Sequence, residues 1–218
     1  MSKIDDEPPA ARITNDHIGS SAPWQPLKAR KGVKRVAVLE AATQLFLERG
    51  IHRTSMSELA SYLNITKPSL YNYFRSKDDI ITECVHLAFV YSSAALNEAE
   101  ALDGTGYDRV HLFIKKYALV SMQKYGACIN RIDDRDLRDD VRQEIRRVNR
   151  SIDQRVRAMI HGGTLDGSIV ACDVRLTTFA IMGAIQWISR WYRTDGPISP
   201  DDITKEYTER LTASLRSN

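Results

Sequence analysis

The reading turns on residues 54–77, Thr54-Ser55-Met56-Ser57-Glu58-Leu59-Ala60-Ser61-Tyr62-Leu63-Asn64-Ile65-Thr66-Lys67-Pro68-Ser69-Leu70-Tyr71-Asn72-Tyr73-Phe74-Arg75-Ser76-Lys77. Ser55 followed by Glu58 is a capping box, in which each side chain satisfies an orphan backbone N–H of the other residue. A short helix should run from there to about Leu63. Asn64 tolerates left-handed backbone and can end that helix sharply. Thr66 can cap a third helix, Lys67–Phe74, with Pro68 in its first turn, where a missing N–H costs nothing. Two short helices across a turn of about three residues form a helix-turn-helix. Leu59, Ala60, Leu63, Ile65, Leu70 and Phe74 are spaced to share a core. Lys67, Ser69, Tyr71, Asn72 and Tyr73 are left for the outer face.

Working outward, Val33 to Leu47 shows the i, i+3, i+4 recurrence of an amphipathic helix, and Gly50 stands where a helix C-terminus wants glycine. The charge agrees with a nucleic-acid role. Residues 28–77 hold ten Lys/Arg against three Glu, a balance of +7, while residues 1–27 and 78–218 each carry −2, giving the chain's +3. Such concentration is the footprint of a phosphate-backbone binder, although a solvated basic surface has the same look.

The remaining composition narrows the class. The chain has 218 residues, 43% hydrophobic and 27% charged, enough for a real core. Three scattered cysteines, Cys84, Cys128 and Cys172, make neither a disulfide framework nor a metal pair, and reduced thiols in a cytoplasm are the simplest expectation. An uninterrupted apolar run long enough for a membrane span is missing, as is the apolar core of a signal peptide. His17, His52, His86, His111 and His161 fit no metal-ligand spacing, and neither a G-x-S-x-G nor a phosphate-binding glycine loop occurs. The expectation is therefore no catalytic residues, no metal and no cofactor. A helical enzyme and a helical module that does not touch DNA stand as the alternative classes.

Val36–Leu47, Gly50, Thr54–Ala60 and Thr66–Lys77 together resemble the N-terminal domain of TetR-type transcriptional regulators. The most specific part is Leu70-Tyr71-x-Tyr73-Phe74-x-x-Lys77; Asn64 stands where that family often has glycine. The resemblance implies an all-α fold, with an N-terminal three-helix helix-turn-helix DNA-binding domain followed by a larger helical domain for effector binding and dimerisation. Residues 28–77 are the expected DNA-binding domain and 78–218 the expected effector and dimer domain, while residues 1–27, with Pro8, Pro9, Pro23 and Pro26 and no periodicity, are expected to be a flexible tail. The resemblance places Lys67, Pro68 and Ser69 against base edges, and Tyr71, Tyr73 and Lys77 on phosphates. Thr54 and Ser55, at a helix N-terminus, can also meet a phosphate. Arg30 and Lys31 either reach a minor groove as an arm or belong to a solvated tail. Thr66 and Asn72 complete the candidate DNA-binding set. Core packing for Tyr71, and plain surface for Tyr73 and Lys77, are the competing readings.

Beyond Lys77 the pattern is helical throughout. Helices are expected from Asp78 or Asp79 to about Ala101, over Tyr107–Lys124, and along Leu137, Val141, Ile145, Val148, Ile152, Val156 and Met159, with Gly162–Gly167 as a turn. Residues 174–192 are apolar almost all round, so several faces must be covered, a partner subunit being the natural cover. Ala180, Gly183 and Ala184 are small enough for close helix approach. The last helix, Pro200–Leu215, carries Ile203, Tyr207, Leu211 and Leu215 at i+4 steps. By the resemblance these last two helices pair with their symmetry mates in a homodimer. Arg138, Arg142, Arg146 and Arg150 repeat at i+4, either neutralised by Asp134, Asp139, Glu144 and Asp153 or facing an anionic ligand. Residues 187–200 resemble a TetR subgroup associated with acyl-CoA thioesters. That implies Gln186, Trp187 and Arg190 at a pocket border, with Tyr117 and Met182 as apolar walls and Arg146 as a candidate effector contact; ordinary core and dimer packing is the other reading of Trp187 and Trp191. The expected function is a cytoplasmic, ligand-responsive regulator of double-stranded operator DNA. It would be a repressor released by a small hydrophobic or acyl-CoA-type effector.

Overall fold

The computed structural model describes residues 35–132 and 137–217. Nine helices follow one another among them: α1 (Arg35–Arg49), α2 (Met56–Tyr62), α3 (Lys67–Tyr71), α4 (Lys77–Glu100), α5 (Gly106–Met122), α6 (Lys124–Arg131), α7 (Asp139–Leu165), α8 (Val174–Trp191) and α9 (Pro200–Ala213). Their starts follow local chemistry. Ser55, Thr66, Ser76, Thr105, Asp173 and Ser199 each accept a first-turn N–H, and Ser55–Glu58 closes the capping box from both sides. Gly50 ends α1 at φ 85°, and Asn64 holds φ 54° between α2 and α3, the left-handed turn expected of it. Helix α3 is shorter than its pattern. It ends at Tyr71, and the N–H groups of Tyr73 and Phe74 both return to the Leu70 carbonyl.

Two apolar cores are joined by α4. The first gathers Leu39, Leu45, Phe46, Leu59, Leu63, Leu70 and Phe74 around Ile80, Ile81, Cys84 and Val85 of α4, and also takes in Cys128, Val141 and Ile145. The core thus runs through position 77, where the sequence suggests a boundary. The second collects Leu96 and Ala99 of α4 with Phe113, Ile114, Val156, Ile160, Ile181, Ile185, Ile188 and Ile203. Helix α4 also has the length and mean hydropathy of a membrane span, but its apolar face is shared between these two cores.

Three expectations need correction. Gly162 and Gly163 are not a turn, because α7 continues to Leu165 and turns only at Gly167 (φ 77°). Gly163 sits where α5 crosses: a Cβ on Gly106 would lie 2.2 Å from the Gly163 nitrogen, so the crossing requires glycine at 106, while a Cβ on Gly163 would meet the Ile169 side chain at 2.4 Å. Residues 124–131 form a separate helix, α6, that has no side-chain cap to announce it. The apolar stripe of α9 faces inward: Ile203 and Leu215 are buried in the second core, and Tyr207 and Leu211 pack against it. The face left bare belongs to α8. Leu176 and Trp187 are each 63% exposed and Phe179 50%, beside exposed Ala180, Gly183 and Trp191.

Candidate functional site

The recognition surface is set by which side chains α3 can turn inward. Leu70 and Phe74 are buried, which leaves Lys67, Pro68, Tyr71 and Asn72 exposed on one short helix. Thr66 is occupied locally: its hydroxyl caps the Ser69 N–H at 3.3 Å and lies 2.8 Å from the Ser69 hydroxyl. Ser69 is therefore half-buried in the cap. At five residues α3 is far shorter than a helix that holds itself in water, so its direction is fixed by tertiary contacts.

Several sequence candidates sit elsewhere than expected. Thr54 is 2% exposed and donates its hydroxyl to the Gly50 carbonyl (2.9 Å), so it closes the α1–α2 turn and does not present a hydroxyl to solvent. Ser55 is exposed, but its N–H and hydroxyl are both engaged by Glu58 (2.7 and 3.1 Å). Hydrogen bonding from the Ser55 backbone N–H first, and from the Ser55 side chain second, holds the Glu58 carboxyl below its usual range, so a negative charge already stands at the start of α2. Tyr73 is half-buried against the first core. Lys77 is half-buried, and its Nζ donates to the Ile51 carbonyl at 2.8 Å, tying the start of α4 to the α1–α2 turn. Arg30 and Lys31 lie outside the described residues, as does Asp134.

Sequence reasoning passed over Arg35. It donates to the Tyr73 carbonyl (2.6 Å) and to Glu83 (3.0 Å), and its guanidinium stands 4.2 Å from the centre of the Phe74 ring. Its partners lie 38, 48 and 39 positions along the chain, so no local pattern could announce it.

The candidate effector region is a cavity of about 30 Å³ between α4, α5, α6 and α7. Its walls include Ala88 and Phe89 of α4, Tyr117, Ile129, Val148 and Ile152, with Ser92, Ser121, Asn130 and Asn149 as polar groups. Tyr117 is fully buried, which pushes its phenol above the usual range, and it is hydrogen-bonded to Gln186 and Ser92. Tyr117 and Gln186 are thus brought together, although Gln186 itself does not line the cavity. Met182 is half-buried against the same core. Arg190 is exposed and donates to the carbonyl of cavity-lining Asn130 (3.2 Å). Beside it, Arg131 donates to the Ser189 carbonyl (2.6 Å); partial burial first, and the Arg190 charge second, lower its pKa. Trp187 is not at the cavity, because Ile185 and Ile188 take the inward face of α8 and leave the indole outside. Arg146 lies exposed next to cavity-lining Ile145. The other arginines of the repeat largely find carboxylates: Arg138 with Asp140 (2.6 Å) and Asp78 (3.9 Å), and Arg142 with Asp139 (3.4 Å). The missed cavity residue with a readable signal is Ser92, a polar residue between Ala88 and Leu96 on an otherwise apolar stripe.

Comparison with known proteins follows the same division. Residues 38–84 match the description "Bacterial regulatory proteins, tetR family", and residues 103–215, over half of the chain, match "Tetracyclin repressor-like, C-terminal domain". The chain belongs to the TetR family. Similar proteins include the HTH-type transcriptional repressor KstR2 of Rhodococcus jostii, 25% identical with 86% of this chain and 93% of that one covered. Among solved structures, the TetR-family regulator PfmR of Thermus thermophilus is 26% identical (TM-score 0.74, 82% and 98% covered). AibR, solved in complex with isovaleryl coenzyme A and operator DNA, shares the fold at 20% identity (TM-score 0.72, 82% and 97% covered). This TetR-family chain is a ligand-responsive, DNA-binding transcriptional regulator, and the family and its relatives are not enzymes.

Proposed function

We propose that the chain is a homodimeric repressor that reads operator DNA with α3 and is released by a small hydrophobic or acyl-CoA-type effector entering the α4–α7 cavity. The observation that carries the DNA reading is the exposed Lys67-Pro68 pair at the start of α3, with Tyr71 and Asn72 beside it. Lys67 suits guanine O6 or N7, Pro68 a thymine methyl, and Tyr71 a phosphate. Dimerisation is supported by the bare α8 face, since a two-fold pairing would cover Leu176, Phe179 and Trp187 and set two α3 helices for successive major grooves.

The effector reading is supported by the cavity's position. Its wall residues Val85, Ala88 and Phe89 lie on α4, whose first turns belong to the DNA-domain core. At about 30 Å³ it has room for roughly two waters, far below an effector's volume. An effector therefore has to part α4 from α7, and the displacement reaches α3 through Ile80, Ile81 and Phe74. A coupling of about 1–3 kcal/mol between the sites is the ordinary range for such a device. Polar groups at Asn130, Asn149 and Tyr117 favour a ligand with an apolar body and a carbonyl or thioester, and Arg190 and Arg131 stand where an anionic tail could leave. The acyl-CoA complex of AibR is in keeping with that class.

Selection of duplexes from a random library by the purified chain tests the first claim. An enriched two-fold sequence is expected, and Lys67→Ala should cost about 1–3 kcal/mol and relax preference at one base step per half-site. Acyl-CoA esters added to that complex should release it and raise the thermal midpoint. Unchanged binding and stability with every ester would remove the effector claim.

A further inference from the structure

We infer that Arg35 is a positioning residue of the recognition helix, not a DNA contact. This rests on α3 being the DNA-reading element. Three observations carry it. First, α3 has only five residues and ends in a turn at residues 72–73. Carbonyls at a helix end need outside donors. The Tyr73 carbonyl receives one from Arg35 Nη1 at 2.6 Å. Second, the guanidinium is itself held. Glu83 accepts from Nη2 at 3.0 Å, and the Phe74 ring, 1% exposed, lies beneath at 4.2 Å. A planar fork between a carbonyl, a carboxylate and a ring face has its direction fixed, which a freely extended phosphate contact does not need. Third, the three partners belong to consecutive parts of the reading unit. Arg35 opens α1, Tyr73 and Phe74 follow α3, and Glu83 lies in the second turn of α4. The side chain therefore fixes the exit of α3 against both the helix before it and the helix after it. Lys67–Asn72 inherit their direction from that point and from buried Leu70.

The alternative, that Arg35 neutralises a phosphate, makes opposite predictions. A phosphate contact is kept by Arg35→Lys, is strengthened when the competing carboxylate is removed by Glu83→Ala, and changes the salt dependence of binding. Each phosphate contact contributes about −0.9 to the slope of log affinity against log salt. A fork that bridges two partners is lost with lysine, weakens with Glu83→Ala and leaves the slope alone.

The test uses the full chain and the duplex that the wild type enriches from a random library, with poly(dI-dC) as the non-specific competitor. Arg35→Lys and Glu83→Ala should each weaken binding to the enriched duplex about tenfold, the worth of one charge-assisted hydrogen bond. Neither should move the salt slope or the affinity for poly(dI-dC). Amide hydrogen exchange over residues 67–74 should quicken in both variants, with the thermal midpoint of the α5–α9 core unchanged. Wild-type binding by Arg35→Lys, tighter binding by Glu83→Ala, or a slope shallower by about 0.9 in Arg35→Ala would overturn the inference. If the wild type enriches no duplex, the DNA-reading role of α3 fails. The exchange measurement then still decides whether Arg35 holds that segment.

Discussion

Trp187→Ala should split the proposed dimer. An aromatic side chain offers roughly 150–250 Å², so an indole 63% exposed leaves about 100–150 Å² in water in the single chain. At ~25 cal/mol per Å² its burial is worth about 2.5–4 kcal/mol per protomer. The two-fold axis doubles that figure, while incomplete cover and side-chain ordering of about 0.5–1.5 kcal/mol per side chain reduce it. A net loss of about 3–5 kcal/mol for the pair of substitutions raises the dimer Kd about 100- to 4,000-fold. Because the indole is outside the second core, the folded protomer should keep its helix content and thermal midpoint. Sedimentation equilibrium over a concentration series reads the Kd directly, with circular dichroism as the check on folding. A monomeric wild type at micromolar concentration, or a variant Kd within a few-fold of wild type, would refute the α8 interface. A large drop in the protomer's own melting temperature would show that Trp187 is a core residue after all.

Other substitutions probe the fold and its charges. Gly106→Ala drives a methyl into the α7 backbone at Gly163, and overpacking of that kind costs about 1–3 kcal/mol or more; calorimetry should show a drop of several degrees, and an unchanged midpoint would contradict the crossing. Asn64→Val places a β-branched residue at φ 54° and should cost about 1–3 kcal/mol in urea denaturation, whereas Asn64→Gly should cost nothing. Glu100 is held below the ordinary carboxylate range by bidentate bonds from Arg155 (2.8 and 2.6 Å). A lowered folded pKa gives stability that is complete above the unfolded value, near pH ~4.3, and fades as pH falls through the folded one. Wild type should therefore exceed Glu100→Gln in stability at neutral pH, and the gap should close in acid; a gap that widens in acid would reverse the assignment.

The reading unit was legible because its signals are local. Ser55 and Glu58, Thr66 and Pro68, and the left-handed Asn64 each act within four residues, and the structure places all of them as their chemistry requires. What the sequence hid depends on distant partners. Periodicity shows that α8 and α9 have apolar faces, but not that α9 directs its stripe at α5 while α8 leaves Leu176, Phe179 and Trp187 uncovered. Lys77 and Arg35 count as positive charges in any sequence sum. Only the fold reveals that Ile51 and Tyr73 carbonyls, far along the chain, accept their hydrogen bonds. Residues 124–131 escaped notice because α6 lacks a capping side chain and carries Gly126 in its interior. Tyr117, in the cavity wall, meets Gln186 of α8 across helices, whereas Trp187, one residue further along α8, is turned away by about 100°.

The continuity of α4 through both cores bears on protein engineering. The N-terminal and C-terminal cores share one uninterrupted helix, so an exchange of heads among related regulators has no loop at which to cut. A chimera must be spliced inside that helix, between Val85 and Ala95. One inserted or deleted residue would rotate everything downstream by about 100° and shift it by about 1.5 Å. The donor head would then arrive with its own Ile80 and Ile81 seated correctly while Leu96 and Ala99 faced solvent. Splices that conserve helical phase are the ones to build, and a ladder of single-residue insertions there would measure how rigidly the shaft conveys rotation between the two ends.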